Sequence, residues 1–353
     1  MHRSYMSLIP TETSAPLPFV LLTGFLGSGK TTLLAQLMSQ PGMRDTAVLI
    51  NEFGEIGLDH LLVEHLAEDV VLLESGCVCC SIGDELESAV SSLIERARAG
   101  EIPPFRRLLL ETTGLADPAH ILQRLLAAEG LTSTISIRET VTVVDAVYGP
   151  HTLEQHVESA SQVAMADRIV LSKTDLASAA ETAACVDCVR ALNPTVTLVR
   201  PQVETLRVGD LFASQPQPQS QSQSRLQGIH CHFDPAPVPP APWTAGRAHL
   251  TRFSTFSLSW AEPIDWEDFS AWLEGLLIAR GDSILRLKGW LNATGQQLPL
   301  VIQGVQHSLY PPVRLPAWPD GEVRTQLVFI TRDFSREAAL LSIRQVLGDL
   351  QCR

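Results

Sequence analysis

Phe19-Val20-Leu21-Leu22-Thr23-Gly24-Phe25-Leu26-Gly27-Ser28-Gly29-Lys30-Thr31-Thr32 decides the fold. Residues 24–31 fit Gly-x-x-x-x-Gly-Lys-[Ser/Thr], the phosphate-binding loop, and the context agrees: an apolar strand leads in and a helical run, 32–38, leads out. Gly24, Gly27 and Gly29 let backbone N–H groups curl around phosphate oxygens, beside Ser28, and the helix N-terminus adds positive potential. Lys30 is expected to reach the β- and γ-phosphates, Thr31 to ligate Mg²⁺ through its hydroxyl, and Thr32 to complete the nucleotide contacts.

Around this loop, short apolar runs at 19–23, 46–50, 70–73, 107–110, 140–144, 168–171 and 195–199 alternate with helical stretches such as 32–38, 84–97 and 151–166. Continuous β-rich runs alternating with helices predict an α/β fold, a mostly parallel sheet covered on both faces. Residues 214–224 contain only Ser, Gln and Pro, and 235–242 are mostly Pro and Ala, a composition that cannot bury a core. The expected organisation is a P-loop domain over 17–212, a Gln/Pro/Ser-rich linker over 213–246 and a smaller α+β domain over 247–353. Strand runs in the last part are 250–258, 284–291, 298–305 and 326–330, with helices at 266–280 and 335–350.

Two further strand ends carry chemistry. The run 107–110 leads into Glu111-Thr112-Thr113-Gly114, where a carboxylate that holds Mg²⁺ or its water belongs. Ser172-Lys173-Thr174-Asp175 ends another strand with the shape of the [Asn/Thr]-Lys-x-Asp guanine motif. The Asp175 carboxylate accepts two hydrogen bonds from guanine, which adenine does not offer, so GTP is the expected nucleotide. The Lys173 stem covers the base, and Ser172 alters one supporting hydrogen bond. Hydrolysis is expected to proceed by attack of a positioned water, with Mg²⁺, Lys30 and the loop amides stabilising charge. Glu111 is a candidate for positioning that water.

Gly76-Cys77-Val78-Cys79-Cys80 places three thiols within four residues at a strand-to-helix turn, where the helix dipole lowers thiol pKa. Thiolates favour Zn²⁺, Cu⁺ and similar metals, and so short a segment closes a tetrahedral site only with an outside ligand. Such an open site suits transfer; buried structural cysteine is the alternative. Cys185 and Cys188, three apart on a helix, fit core packing better than a metal pair, and His230-Cys231-His232 in the linker fits either a solvated segment or a relay.

Bulk properties narrow the function. The chain has 353 residues, 45% of them hydrophobic, and 26 basic against 39 acidic residues give a net charge of −13. That balance argues against a general nucleic-acid partner. Residues 1–18 lack the apolar core of a secretory signal and no run approaches a bilayer span, so a cytoplasmic protein without membrane contact is expected. An odd count of seven cysteines does not suit a disulfide framework.

The segments GFLGSGKTT, NEFGEIGLD, GCVCC, ETTGLADP, TVVDA and ADRIVLSKTD together resemble the CobW/YjiA-type P-loop GTPases, a group that also holds the nickel-insertion GTPases of hydrogenase and urease maturation. LRLKGWL, IQGVQHSLY and LVFI resemble the CobW C-terminal domain, closer to the YjiA-like branch. The resemblance implies a GTPase metallochaperone or metal-dependent activator, with Mg²⁺ and Zn²⁺ (or Co²⁺ or a similar metal) as cofactors and an apo-metalloprotein as client. It implies Cys77, Cys79 and Cys80 as transition-metal ligands with Glu55 as an extra one, Asp59 near Mg²⁺, and Asn51–Gly54 in the switch region. It places the second guanine loop near Asn193-Pro194 and permits a nucleotide- or metal-dependent homodimer. The alternative is a GTP-switched interaction protein whose thiols sense metal or redox state without delivering metal. An NTP-dependent kinase lacks an identifiable phosphoacceptor site or lid.

Overall fold

The computed structural model describes residues 16–50, 71–74, 84–128, 131, 134–200, 206–212, 252–319 and 321–348. Seven parallel strands form the first sheet: β1 (Leu17–Gly24), β2 (Thr46–Ile50), β3 (Val71–Glu74), β4 (Arg107–Glu111), β5 (Ile135–Asp145), β6 (Arg168–Ser172) and β7 (Thr197–Val199). Their order is β3-β2-β4-β1-β5-β6-β7, with the phosphate-loop strand near the middle. Side chains alternate across the sheet. Phe19 and Leu21 of β1 pack with Leu108 and Leu110 on one face, and Val20 and Leu22 with Val48 and Leu109 on the other. Each fully buried side chain of this kind contributes about 1.5–3 kcal/mol, which is why the strands read as unbroken apolar runs.

Helices cover both faces. α1 (Lys30–Met38) lies on the Val20 side, through Leu33, Leu34 and Leu37. α2 (Asp84–Arg98), α3 (Pro118–Ala127), α4 (Gly149–Gln155), α5 (Val157–Met165) and α6 (Ala179–Leu192) contribute to the Phe19 side, and the short α7 (Val208–Phe212) returns to the α1 side. The sequence predicts one helix over 151–166. The structure breaks it at His156, whose backbone is extended at φ −125, ψ 115. The break sets the His156 ring against Phe25 of the phosphate loop, with centroids 4.5 Å apart and planes at 28°.

A second, antiparallel sheet comprises β8 (Phe253–Trp260), β9 (Ile284–Leu291), β10 (Leu300–Val305), β11 (Ser308–Leu309), β12 (Val313–Arg314) and β13 (Thr325–Arg332). Its order is β11-β10-β9-β13-β8, with β12 on β10. α8 (Trp266–Arg280) and α9 (Arg336–Leu347) cover one face through Phe269, Trp272, Leu273, Ala339 and Ile343. The opposite face meets the first domain: Leu285, Val305 and Ile330 join the core that contains α5 and α6. Pairing between β9 and β13 skips Leu285, a bulge that turns the strand.

The interface is anchored by charge. Arg286 donates to the carbonyl of Met165 and, with Lys288, contacts the carboxylate of Asp167, which also accepts from the Thr140 N–H at 2.9 Å. Beside it Arg168 pairs with Glu139 at 2.8 Å. Burial pushes the Asp167 carboxyl up, but Arg286 and Lys288 outweigh it and hold the group well below the usual carboxylate range. Burial likewise pushes Glu139 up to about 7. No helix among the described residues is long and apolar enough to cross a membrane.

Candidate functional site

The C-terminal ends of the parallel strands lie level, which builds the site. Leu22 of β1 and Ile50 of β2 both stand opposite Glu111 of β4, and Ile50 also stands opposite Glu74 of β3. On the other side Asp145 of β5 stands opposite Ser172 of β6. The phosphate loop and the segments that follow Glu111 and Ser172 therefore leave from one edge of the sheet, level with the ends of β2 and β3, where ligands bind in open α/β folds.

The phosphate loop takes the shape its glycines permit. Gly24, Gly27 and Gly29 have φ of 148, 70 and 93. A Cβ at Gly24 would stand 2.5 Å from the Val143 carbonyl, so only glycine fits. Gly29 caps α1 in the left-handed conformation with no side-chain cap, and no acidic residue occupies the first turn. That leaves the helix N-terminus electrostatically suited to an anion. Lys30, buried, donates to the carbonyls of Gly24 at 2.9 Å and Phe25 at 3.3 Å, which folds its ammonium over the loop. Thr32 is exposed on the first turn.

The Thr31 hydroxyl donates to Glu111 Oε1 at 3.5 Å, and Glu111 is buried. A hydroxyl and a carboxylate brought together at a helix start are the hard oxygen donors Mg²⁺ takes, and the pair fits that ion. Beyond Glu111, the Thr112 hydroxyl bonds Thr23 at 2.8 Å, and Gly114 packs against Leu26 so closely that a Cβ there would lie 2.7 Å from the Leu26 nitrogen.

The guanine-type motif is tied to the same loop. Ser172, standing where Asn is usual, donates to the Ser28 carbonyl at 2.5 Å, and its Cβ approaches within 3.5 Å of where a Gly29 Cβ would be. The hydroxyl thus replaces an amide as the link between base motif and phosphate loop. Lys173 adopts φ 54, the left-handed region, held by Leu176 and Ala177 N–H groups on its carbonyl. Its ammonium bonds Asp145 at 2.7 Å. Asp175 is exposed. A cavity of about 290 Å³ beside the phosphate loop is bounded by Phe25, Ser28, Asp145, Tyr148, Gln162 and Lys173, among others.

One expectation is corrected. Asn193 does not lie at the base site: it is fully buried, and its amide donates to the carbonyls of Val163, Ala164 and Ala166 at the end of α5. α6 runs back from the strand ends, so Asn193 falls at the opposite edge of the sheet. Cys185 is core: it is fully buried, and burial, with Cys188 and Asp145 nearby, pushes its thiol up to about 12. Cys77, Cys79, Cys80, Glu55, Asp59, the Asn51–Gly54 segment and His230-Cys231-His232 lie outside the described residues. Among the described residues no cluster of His, Cys, Asp and Glu could hold a metal.

Residues 18–200 match the model of the CobW/HypB/UreG nucleotide-binding domain. The chain belongs to the CobW/HypB/UreG family. Residues 253–347 match the cobalamin synthesis protein cobW C-terminal domain. The zinc chaperone YjiA of Escherichia coli is 33% identical over 321 residues, covering 89% of this chain and 94% of that protein. The zinc-regulated GTPase metalloprotein activator 1 of Schizosaccharomyces pombe is 33% identical over 174 residues, 47% of this chain and 41% of that protein. The solved structure of Zn(II)-bound YjiA GTPase from E. coli superposes with a TM-score of 0.65 at 25% identity, covering 94% of this chain and 99% of that one. This CobW/HypB/UreG chain is a GTPase of the YjiA-like branch.

Proposed function

We propose that the chain is a zinc metallochaperone: it binds Zn²⁺ at Cys77, Cys79 and Cys80, with Glu55 as an extra ligand, and delivers it to an apo-metalloprotein under control of bound GTP. In this reading Gly24, Gly27, Ser28, Gly29, Lys30, Thr31 and Thr32 hold the phosphates. Thr31, Glu111 and Asp59 serve Mg²⁺, which would neutralise phosphate charge. Lys173 and Asp175 read guanine.

The observation that carries the proposal is the register at the sheet edge. Glu74 and Glu111 stand level on either side of Ile50, so they are about two strand spacings, roughly 10 Å, apart. Cys77 follows Glu74 by three residues, a reach of about 10 Å when extended. A thiol site there and a phosphate site at Glu111 share one edge, and switch segments at that edge are ordered by the γ-phosphate and released on hydrolysis. The names of the relatives, a zinc chaperone and a zinc-regulated activator, support the metal and the client class.

Exposed Leu26, Leu115, Tyr148 and Leu176 all belong to loops of this edge, which suits a protein partner there: the client, or a second copy in a nucleotide-dependent homodimer. The test is zinc binding to protein purified without affinity-tag metal, before and after Ser replaces Cys77, Cys79 and Cys80. Loss of tight binding is expected; tight binding that survives the triple change rejects the site. Stoichiometric transfer to an apo-client separates delivery from the alternative of a thiol sensor.

A further inference from the structure

The loop after Glu111 is the described part of the site best placed to respond to the γ-phosphate, and one helix grips it from behind. Gln162 of α5 is 1% exposed, and its side-chain nitrogen donates to the carbonyls of Gly114 at 3.1 Å and Ala116 at 3.0 Å. Both partners are acceptors, so only the amide NH₂ can face them and its orientation is settled. The preceding residue, Ser161, donates to Asp117 Oδ1 at 3.1 Å, the oxygen that also caps α3 through the Ala119 N–H. The grip has a firm base. The Gln162 carbonyl accepts from the Thr142 hydroxyl of β5 at 2.9 Å, and the far end of α5 is held by Arg286 on Met165. On its other side the gripped loop touches the phosphate loop, where Gly114 meets Leu26.

We propose that Gln162 is a positioning residue for GTP hydrolysis: by bonding the Gly114 and Ala116 carbonyls it holds the loop after Glu111 at the height over the phosphate loop where a γ-phosphate engages it. Ser161 seconds it through Asp117. GDP has no γ-phosphate, so the grip bears on turnover and not on GDP retention.

Gln162→Met keeps the length and removes both donors. A displacement of about 1 Å in a positioning element costs on the order of 10²-fold in rate, and kcat for GTP is expected to fall by about that factor while GDP affinity stays within about twofold. Gln162→Glu adds a readout that a packing role does not move. An ionised carboxylate has no donor for either carbonyl, whereas the protonated acid has one. Its kcat relative to wild type is therefore expected to rise as pH falls, while the Met variant's deficit is flat. Should Gln162→Met fail to fold, Ser161→Ala decides: a several-fold drop in kcat with GDP affinity intact supports the proposal. A folded variant turning over at the wild-type rate overturns it, as does a parallel loss of kcat and GDP affinity.

Discussion

Asp167→Asn removes one negative charge from between two positive ones and leaves the shape unchanged. Oδ1 of Asp167 contacts Arg286 and Lys288, and Oδ2 accepts from Thr140 at 2.9 Å. An asparagine whose oxygen keeps the Thr140 bond turns its NH₂ toward Arg286 and Lys288, so the change removes the charge and their shared acceptor together. Side-chain exposure is 13% for Asp167 and 7% for Arg286, and breaking a buried pair by removing one partner costs about 3–5 kcal/mol. Glu139 is a second carboxylate near Lys288, so the expected loss lies toward the lower figure, about 3 kcal/mol at pH 7.

The pH dependence has a definite sign. Asp167's own contribution is present above its unfolded-state value of about 3.9 and is lost only as pH falls through its depressed folded value. Between pH 5 and 7 the slope comes from Glu139. Burial raises that carboxyl, Arg168 opposes and Asp167 adds to the rise, and the folded value reaches about 7. The folded wild type therefore holds a proton the unfolded chain releases, and its stability falls from about pH 4.3 to 7. Without the Asp167 charge the Glu139 value comes down and this fall is smaller. The deficit of the variant should narrow toward pH 7 by about 1.4 kcal/mol for each unit Glu139 descends. Urea denaturation at pH 5, 6 and 7 measures this. All six tryptophans lie at Trp243 or beyond, so their fluorescence follows the part whose anchor is cut. A loss below about 1 kcal/mol, typical of exposed pairs, or a deficit that widens with pH, refutes the reasoning.

Lys30→Ala should abolish GTP hydrolysis and leave the thermal midpoint within a few degrees, because the ammonium lies over the phosphate loop on the carbonyls of Gly24 and Phe25; unchanged turnover in a folded variant removes the phosphate-loop assignment. Asp175→Asn should weaken GTP and favour xanthosine triphosphate, whose base carries an oxygen in place of the amine; equal ATP and GTP affinity in the wild type contradicts the guanine reading.

Much of this was legible because chemistry restricts residue types. A loop that curls backbone amides around phosphate needs glycine at left-handed positions, and Gly24, Gly27 and Gly29 occupy them. Seven apolar runs read as seven strands because a sheet buried on both faces leaves no polar alternation. What sequence did not disclose depends on distant partners. Ser172 looked like a weakened guanine motif, yet its hydroxyl finds Ser28, 144 positions earlier. Gln162 carries no local signature, since its partners are carbonyls 46 and 48 residues away. Asn193 was placed by its order after the base motif, but a helix returning from the strand ends carries the chain to the opposite edge. The break at His156 sets its ring on Phe25, a contact that helical periodicity does not register.

Nucleotide-controlled metal affinity is tested most directly by competitive Zn²⁺ titration of the protein with GDP and with a non-hydrolysable GTP analogue. The two states should differ by about 5–150-fold, a coupling of about 1–3 kcal/mol, and Zn²⁺ must then change the affinity for the GTP analogue relative to GDP by the same factor. Cys79→Ser should remove most of the metal affinity, leave basal GTP binding intact and erase the difference. Identical zinc affinities with GDP and with the analogue would contradict the account.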